Sequence, residues 1–271
     1  MKRMSNEVIP TLKKDYIYNL MVKGKRMGGR KFDEFREIKV ETNAIDKAEG
    51  SAKVTLGSTQ VIVGVKLQPR TPFPDSMDEG VIMTNLELNP IASPDFEPGS
   101  PREEAIEMSR VVDRGIRESG AIDIKKLCIS EGVTVWTVFI DIHVLNDDGN
   151  LIDAASLGAI SALLTTRVPN KAYGFGEDTD LPMKETPVSV TVARIGGKLM
   201  ADPSRDEEAI CEAKLTVVSS LDGAIAGMQK MGSSAFTEAE LLEAIELSCR
   251  KAGEIREDFL AGLAAERIGA E

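Results

Sequence analysis

Residues 133–165 read VTVWTVFIDIHVLNDDGNLIDAASLGAISALLT. The first part, 133–145, is a long run of β-branched and aromatic side chains. Its length and composition predict a central strand, buried on both faces. Asn146-Asp147-Asp148-Gly149 then supplies the residue types of a tight turn. From 151 to 165 the chain turns helical, with Ala, Ser and Gly on one face, where small side chains permit close packing. Trp136 and His143 lie on the strand. A lone histidine in such a strand is expected to be a satisfied core residue rather than a ligand.

Upstream, residues 38–41, 50–56, 60–67 and 81–88 alternate or run apolar, and each predicts a strand. Gly57-Ser58-Thr59 reads as a hairpin turn, and 71–79, rich in Pro and Asp, as a loop. Residues 6–24 predict an N-terminal helix. The basic stretch that follows, Lys23-Gly24-Lys25-Arg26 and Gly28-Gly29-Arg30, is expected to be a loop with solvated charges. Residues 122–128 read as a short apolar link.

Downstream, strands are predicted at 188–195 and 198–201, joined at Gly196-Gly197, and at 211–218 and 224–229, around Leu221-Asp222-Gly223. Gly196-Gly197-Lys198 is a hairpin turn and not a phosphate loop, because the rest of that pattern is missing. Tyr173-Gly174-Phe175-Gly176 is too short for a dinucleotide motif. A long helix is predicted over 237–265, with Thr237 as cap and Glu240 at the capping-box position. Ser51-Ala52-Lys53-Val54-Thr55 is echoed by Glu212-Ala213-Lys214-Leu215-Thr216, each followed by a turn and a second strand. The expected fold is therefore α+β: two similar strand–helix halves, about 30–150 and 151–271, packed as one unit over 1–271.

A hydrophobic fraction of 42% and a charged fraction of 28% are those of a soluble globular protein. A net charge of −11 argues against coating nucleic acid by bulk charge and leaves room for a local basic patch. Cys128, Cys211 and Cys249 are far apart and odd in number, which suggests reduced thiols. A single histidine removes most His-based catalysis and most zinc sites, so no metal is expected. No apolar run approaches membrane-spanning length and no signal-peptide stretch opens the chain, so the expected place is the cytoplasm, away from membranes.

The most distinct local signal is EPGSPREEAIEMSRVVDRGIRESG, residues 97–120. Ser100 is the expected N-cap, Pro101 the first helical residue, Glu103 the capping-box partner and Gly120 the stop. At about 100° per residue, Arg110, Arg114 and Arg117 fall within roughly 60° of each other. Ala105, Met108, Val112 and Ile116 occupy the opposite side. Guanidinium forks suit phosphate oxygens. A solvated face with local Asp113–Arg117 and Glu107–Arg110 pairs accounts for the same pattern.

Gly29-Arg30-x-x-Asp33-Glu34-x-Arg36, followed by Glu49-Gly50-Ser51-Ala52 and Gly57-Ser58-Thr59-Gln60-Val61, resembles the N-terminal signature of the RNase PH family. The resemblance runs over nearly the whole chain and implies an RNase PH-like fold. Family enzymes shorten RNA from its 3′ end by phosphorolysis. Asn85-x-Glu87, Ala92-Ser93-Pro94-x-Phe96-Glu97-Pro98-Gly99, the arginine helix, Asp147-Asp148-Gly149-Asn150 and Asp202-Pro203-Ser204 are similar to the non-catalytic ring-subunit branch of the archaeal exosome. That branch implies a catalytic RNase PH-like partner in a hexamer of three heterodimers. It also implies S1/KH-type RNA-binding cap subunits and single-stranded RNA 3′ ends as substrate. Inorganic phosphate and Mg²⁺ are expected to serve the partner, with no cofactor in this chain.

Two departures from the active family pattern stand out. Gly149-Asn150-Leu151 replaces Gly-Thr-Arg, so Leu151 stands where the phosphate-holding arginine belongs. The paired aspartates of active members are sought in the loop 178–187, where Glu185 is the candidate for the second and the first lacks a clear counterpart. Asp180 and Glu185 are thus the candidates for a vestigial acidic site, and Asp178, Asp180 and Glu185 for a carboxylate cluster, against a solvated acidic loop. No catalytic residue is expected. On the resemblance, Arg110 and Arg114, with Arg117, are the expected RNA contacts. The competing expectations are an active phosphorolytic exoribonuclease with a divergent site, and a purely architectural subunit.

Overall fold

The computed structural model describes residues 11–268. The chain forms α1 (Thr11–Val22), β1 (Ile38–Thr42), β2 (Gly50–Leu56), β3 (Thr59–Arg70), β4 (Val81–Leu88), α2 (Glu103–Glu118), β5 (Cys128–Ser130), β6 (Thr134–Asn146) and α3 (Leu151–Leu164). It continues with β7 (Arg167–Val168), α4 (Asn170–Tyr173), β8 (Thr179–Asp180), β9 (Val188–Ile195), β10 (Lys198–Ala201), α5 (Arg205–Glu208), β11 (Ala213–Ser219), β12 (Ile225–Met231), α6 (Glu238–Ile255) and α7 (Ala261–Ile268). Residues 6–10 of the expected N-terminal helix lie outside the described residues.

β6 is central to a sheet ordered β1-β2-β3-β6-β4, antiparallel to β3 and parallel to β4. The short β5 also pairs with β6. A second sheet runs β10-β9-β11-β12, all antiparallel. Gly57 adopts φ +60° in the two-residue turn between β2 and β3, and Gly196 and Gly197 adopt φ +57° and +71° between β9 and β10. Left-handed backbone is what glycine permits cheaply, so both hairpins form where the sequence signals them.

α3 is the mechanical centre. It packs against β2 and β3 of the first sheet and β9 of the second. All 14 of its residues are buried. The helix therefore has no solvent face at all, rather than one close-packing face, and its small residues serve contacts on every side. α2 lies against β4, α3 and β12, while α6 covers β9 and β11. One apolar core joins α3 and the β2/β3/β6 face to Val188, Val190, Ala252, Ile255 and Leu260.

Several expectations change. β6 is buried on both faces only over Val135–Val138 and alternates beyond, because helices cover one face of the sheet and Phe139, Asp141 and His143 point to the other. His143 is accordingly not a core residue; its half-buried ring places Nδ1 3.3 Å from Glu87 Oε2. α2 starts after Arg102, with no side-chain cap, instead of at Ser100. Arg102 stays extended at φ −91°, ψ 175° and its guanidinium pairs with Glu97. At the other end Gly120, at φ +64°, closes the helix as expected, with Ala121 N–H reaching Ile116 O at 3.1 Å. The Thr237/Glu240 capping box forms, but the expected single helix is broken by a π-helical turn, Arg256–Leu260. The 122–128 link holds a 3₁₀ turn, Ile124–Leu127.

The junction of β2 with the end of α3 tolerates no added atom. A Cβ on Gly50 would lie 2.1 Å from Thr166 Oγ1 and 2.5 Å from Ala162 O. Gly50→Ala is expected to destabilise the protein by roughly 2–3 kcal/mol, as overpacked cores do, read as a lowered midpoint in urea unfolding with the slope unchanged.

Candidate functional site

The N-terminus of α3 carries a buried charge network. Asn150, at φ +56°, occupies the N-cap position without a side-chain capping bond, and Leu151 is the first residue of the helix. Leu151 is 8% exposed and belongs to the apolar core. Asn150 Nδ2 donates to Asp153 Oδ2 and to Asp202 Oδ1, both at 2.9 Å. Asp202 receives Arg36 through Nη2 at 2.7 Å, Nε at 2.9 Å and backbone N–H at 2.8 Å, and Arg30 Nη1 at 2.8 Å. Glu207 takes a fork from Arg26, Nε at 2.9 Å and Nη2 at 2.7 Å. Arg36 also donates to Asp148 O at 2.6 Å and Gly149 O at 3.2 Å.

The expectation of solvated charges before β1 holds for the exposed Lys23 and Lys25 and is overturned for Arg26 and Arg30. Arg26 is 3% exposed, and Arg26, Arg30 and Arg36 are pinned to residues of the second sheet's β10–α5 corner. A guanidinium surrounded by carboxylates and carbonyls can be buried only because its donors are so largely satisfied. Burial opposes the charge on Asp202, but the Arg36 hydrogen bonds and charge overcome it and hold the carboxyl below its ordinary value. Asp153 goes the other way. Burial raises it from 3.8 to about 7, against hydrogen bonds from Thr191 and Asn150.

Asp180 and Glu185 are nowhere near this network. β8 pairs with β7 just past the C-terminus of α3, with Leu181 N–H on Thr166 O at 3.0 Å. A helix of 14 residues separates them from Leu151, about 21 Å at 1.5 Å per residue. Asp180 Oδ1 lies 3.7 Å from Arg167, and Glu185 Oε2 accepts Leu221 N–H at 3.0 Å. Both line a cleft of about 900 Å³ bordered by Trp136, Leu181, Arg256 and Leu260. Asp178 Oδ1 is taken by Lys171 N–H at 2.9 Å. Among the described residues no group of three or more His, Cys, Asp or Glu is placed to hold a metal, so the carboxylate cluster does not form. Beside Asp147, Asp148 and Asp153 of the same stretch, the fold brings Asp202 and Glu207 to the Gly149 turn, and neither is marked as a site acid by its local sequence. Asp202-Pro203-Ser204 was visible as a motif, but its pairing with arginines some 170 positions earlier leaves no periodic trace.

The arginine face of α2 is assembled as expected. Ala105, Met108, Val112 and Ile116, joined by Val111 and Gly115, are buried, and Arg110, Arg114 and Arg117 are exposed. They border a groove of about 590 Å³ that also includes Glu107 and Gln229. The three are held differently. Arg117 grips Asp113 at 3.1 Å and donates to Ile82 O at 3.0 Å, tying α2 to β4. Arg114 Nη2 donates to Met228 O at 3.2 Å and Gln229 Oε1 at 3.0 Å. Arg110 has no hydrogen-bond or ion-pair partner among the described residues; Glu107, its expected partner, accepts from Gln229 Nε2 at 3.0 Å instead.

Two parts of the chain match models of the 3′ exoribonuclease family, domain 1 over residues 34–169 and domain 2 over residues 185–251. The chain is 73% identical to the exosome complex component Rrp42 of Methanosarcina acetivorans over 264 residues, 97% of this chain and 99% of that one. It superposes with a TM-score of 0.90 on a chain of the Archaeoglobus fulgidus exosome with RNA bound to the active site, at 50% identity over 92% of this chain and 98% of that one. An archaeal exosome core chain gives a TM-score of 0.87 at 46% identity, over 94% of this chain and 99% of that one.

Two outcomes test the network. Arg26→Ala strands Glu207 in the interior and is expected to cost roughly 3–5 kcal/mol in urea unfolding. Asp153 binds its proton more tightly folded than unfolded. Its contribution is complete below pH 4 and is lost as the pH rises through about 7. The stability of Asp153→Asn relative to the parent is expected to increase steadily across that window, and then to level off.

Proposed function

The chain belongs to the RNase PH family of 3′ exoribonucleases, and we propose that it serves in an exosome ring as the subunit that grips RNA without performing phosphorolysis. The observation that carries this reading is Leu151. The family's phosphate-holding arginine stands at this position, and here an apolar side chain is folded into the core. Phosphorolysis attacks the terminal phosphodiester with inorganic phosphate and releases a nucleoside diphosphate. The extra anionic charge of that transition state needs preorganised donors. Leu151 provides none, and the nearby Arg26, Arg30 and Arg36 are already spent on Glu207 and Asp202. Asp180 and Glu185, the acids sought for a divergent active centre, stand at the far end of α3, while the carboxylates at the turn are engaged within the chain, Asp148 and Asp202 by Arg36, Asp147 by Arg205 and Asp153 by Thr191.

The phosphate site is then supplied by a catalytic RNase PH-like partner, which alternates with this chain in a hexamer of three heterodimers. Inorganic phosphate and Mg²⁺ act there. S1/KH-type cap subunits deliver single-stranded 3′ ends, and Arg110 and Arg114, one helical turn apart, receive the backbone phosphates at the shared boundary. Arg117, committed to Asp113 and Ile82, adds positive field more than contact. The acidic remainder of the surface keeps the assembly soluble. No helix among the described residues is long and apolar enough to cross a membrane, and the cytoplasm suits this work.

The purified chain is expected to show no phosphate-dependent RNA decay, and decay is expected once the partner is added; robust activity of the lone chain refutes the reading. In the assembled ring, Arg110→Glu with Arg114→Glu should abolish crosslinking of RNA to this subunit. Losing two phosphate contacts should flatten the salt dependence of binding by about 1.4 in log–log slope.

A further inference from the structure

Arg114 does not stand on α2 alone. Its Nη2 spans to β12, where Met228 O and Gln229 Oε1 receive it. Gln229 is itself oriented, because its Nε2 donates to Glu107 Oε1 at 3.0 Å, three residues before Arg110 on α2. The carboxylate can only accept, so it draws the amide nitrogen and leaves the amide oxygen facing Arg114. A closed circuit results: Glu107, Gln229, Arg114 and back along α2.

From this circuit we infer that Gln229 is a positioning residue for RNA, acting through Arg114; the inference rests on the RNA-gripping role proposed above. Only Nη2 is engaged by these bonds, which leaves Nε–H and both Nη1 hydrogens for a phosphate. A guanidinium already fixed loses less rotamer freedom on binding than a free one. Arg110, which has no such anchor, pays that cost in full. The two cations are thus unequal. Arg114 is the preformed hook, set by a strand of the second sheet, and Arg110 is the adaptable one. β12 thereby contributes to RNA affinity without touching the RNA.

The test uses Gln229→Met, which keeps the length and apolar stem of the side chain and removes both hydrogen bonds. Binding of a fluorescent oligoadenylate to the assembled ring is measured in phosphate-free buffer, for Gln229→Met, Arg114→Ala and the double variant. Gln229→Met is expected to weaken binding roughly three- to tenfold, the worth of one orienting hydrogen bond. On the Arg114→Ala background it should cost less than about twofold, because the two act as one unit. An equal loss on both backgrounds, no loss, or tighter binding by Gln229→Met alone overturns the inference. If Arg114→Ala itself leaves binding unchanged, the RNA role of the helix fails first, and the inference with it. Ring assembly by size-exclusion chromatography and an unchanged melting temperature are required of every variant.

Discussion

The fold hangs on the double grip of Arg36 on Asp202, with Nη2 at 2.7 Å and Nε at 2.9 Å. Arg36 precedes β1 of the first sheet and Asp202 follows β10 of the second. Between them Asn150, at the N-cap position of α3, donates to Asp202 and Asp153, and Asp153 in the first turn accepts from Thr191 on β9 at 2.7 Å. Two sheets and the helix between them are therefore registered by one set of charge-assisted bonds. Such groups are costly to bury and costlier to leave unpaired, so the arrangement is close to all-or-none. The apolar core supplies bulk burial, and the charged knot decides where the two sheets stand relative to α3.

That same knot leaves Arg26, Arg30 and Arg36, the cations nearest the N-terminus of α3, engaged by carboxylates of the chain itself. Electrostatic neutrality is reached internally. Asp148, Asp202 and Glu207 together balance Arg26, Arg30 and Arg36, and Leu151 turns into the core. The arginines of α2 face solvent, where long side chains are able to meet an anionic partner.

Local chemistry was readable where one short stretch decides the outcome. β4 at 81–88, β9 at 188–195 and β10 at 198–201 fall where alternation and glycine turns put them, and the stop at Gly120 and the cap at Thr237 form as written. The misreadings have a common cause. Ser100 has the right residues for a cap, yet the Arg102–Glu97 pair accompanies an extended chain two residues longer. Arg26 and Arg30 look solvated until Glu207 and Asp202 are folded against them. His143 looks buried until only one face of β6 is covered. In each case the deciding partner lies in tertiary space, and local patterning carries no record of it. For the candidate site, the exposed arginine face of α2 could be read from sequence; the pairing of Asp202 and Glu207 with Arg26, Arg30 and Arg36 could not.

α3 has no side that water can wet. During synthesis its residues leave the ribosome before β9 exists, so an apolar segment must wait with one flank uncovered until the chain has passed residue 195. The first half of the protein therefore cannot finish folding by itself, and its exposed interval is one in which chaperones and premature association compete for it. The order of translation, and not only the final packing, is constrained by a helix that was made to be enclosed.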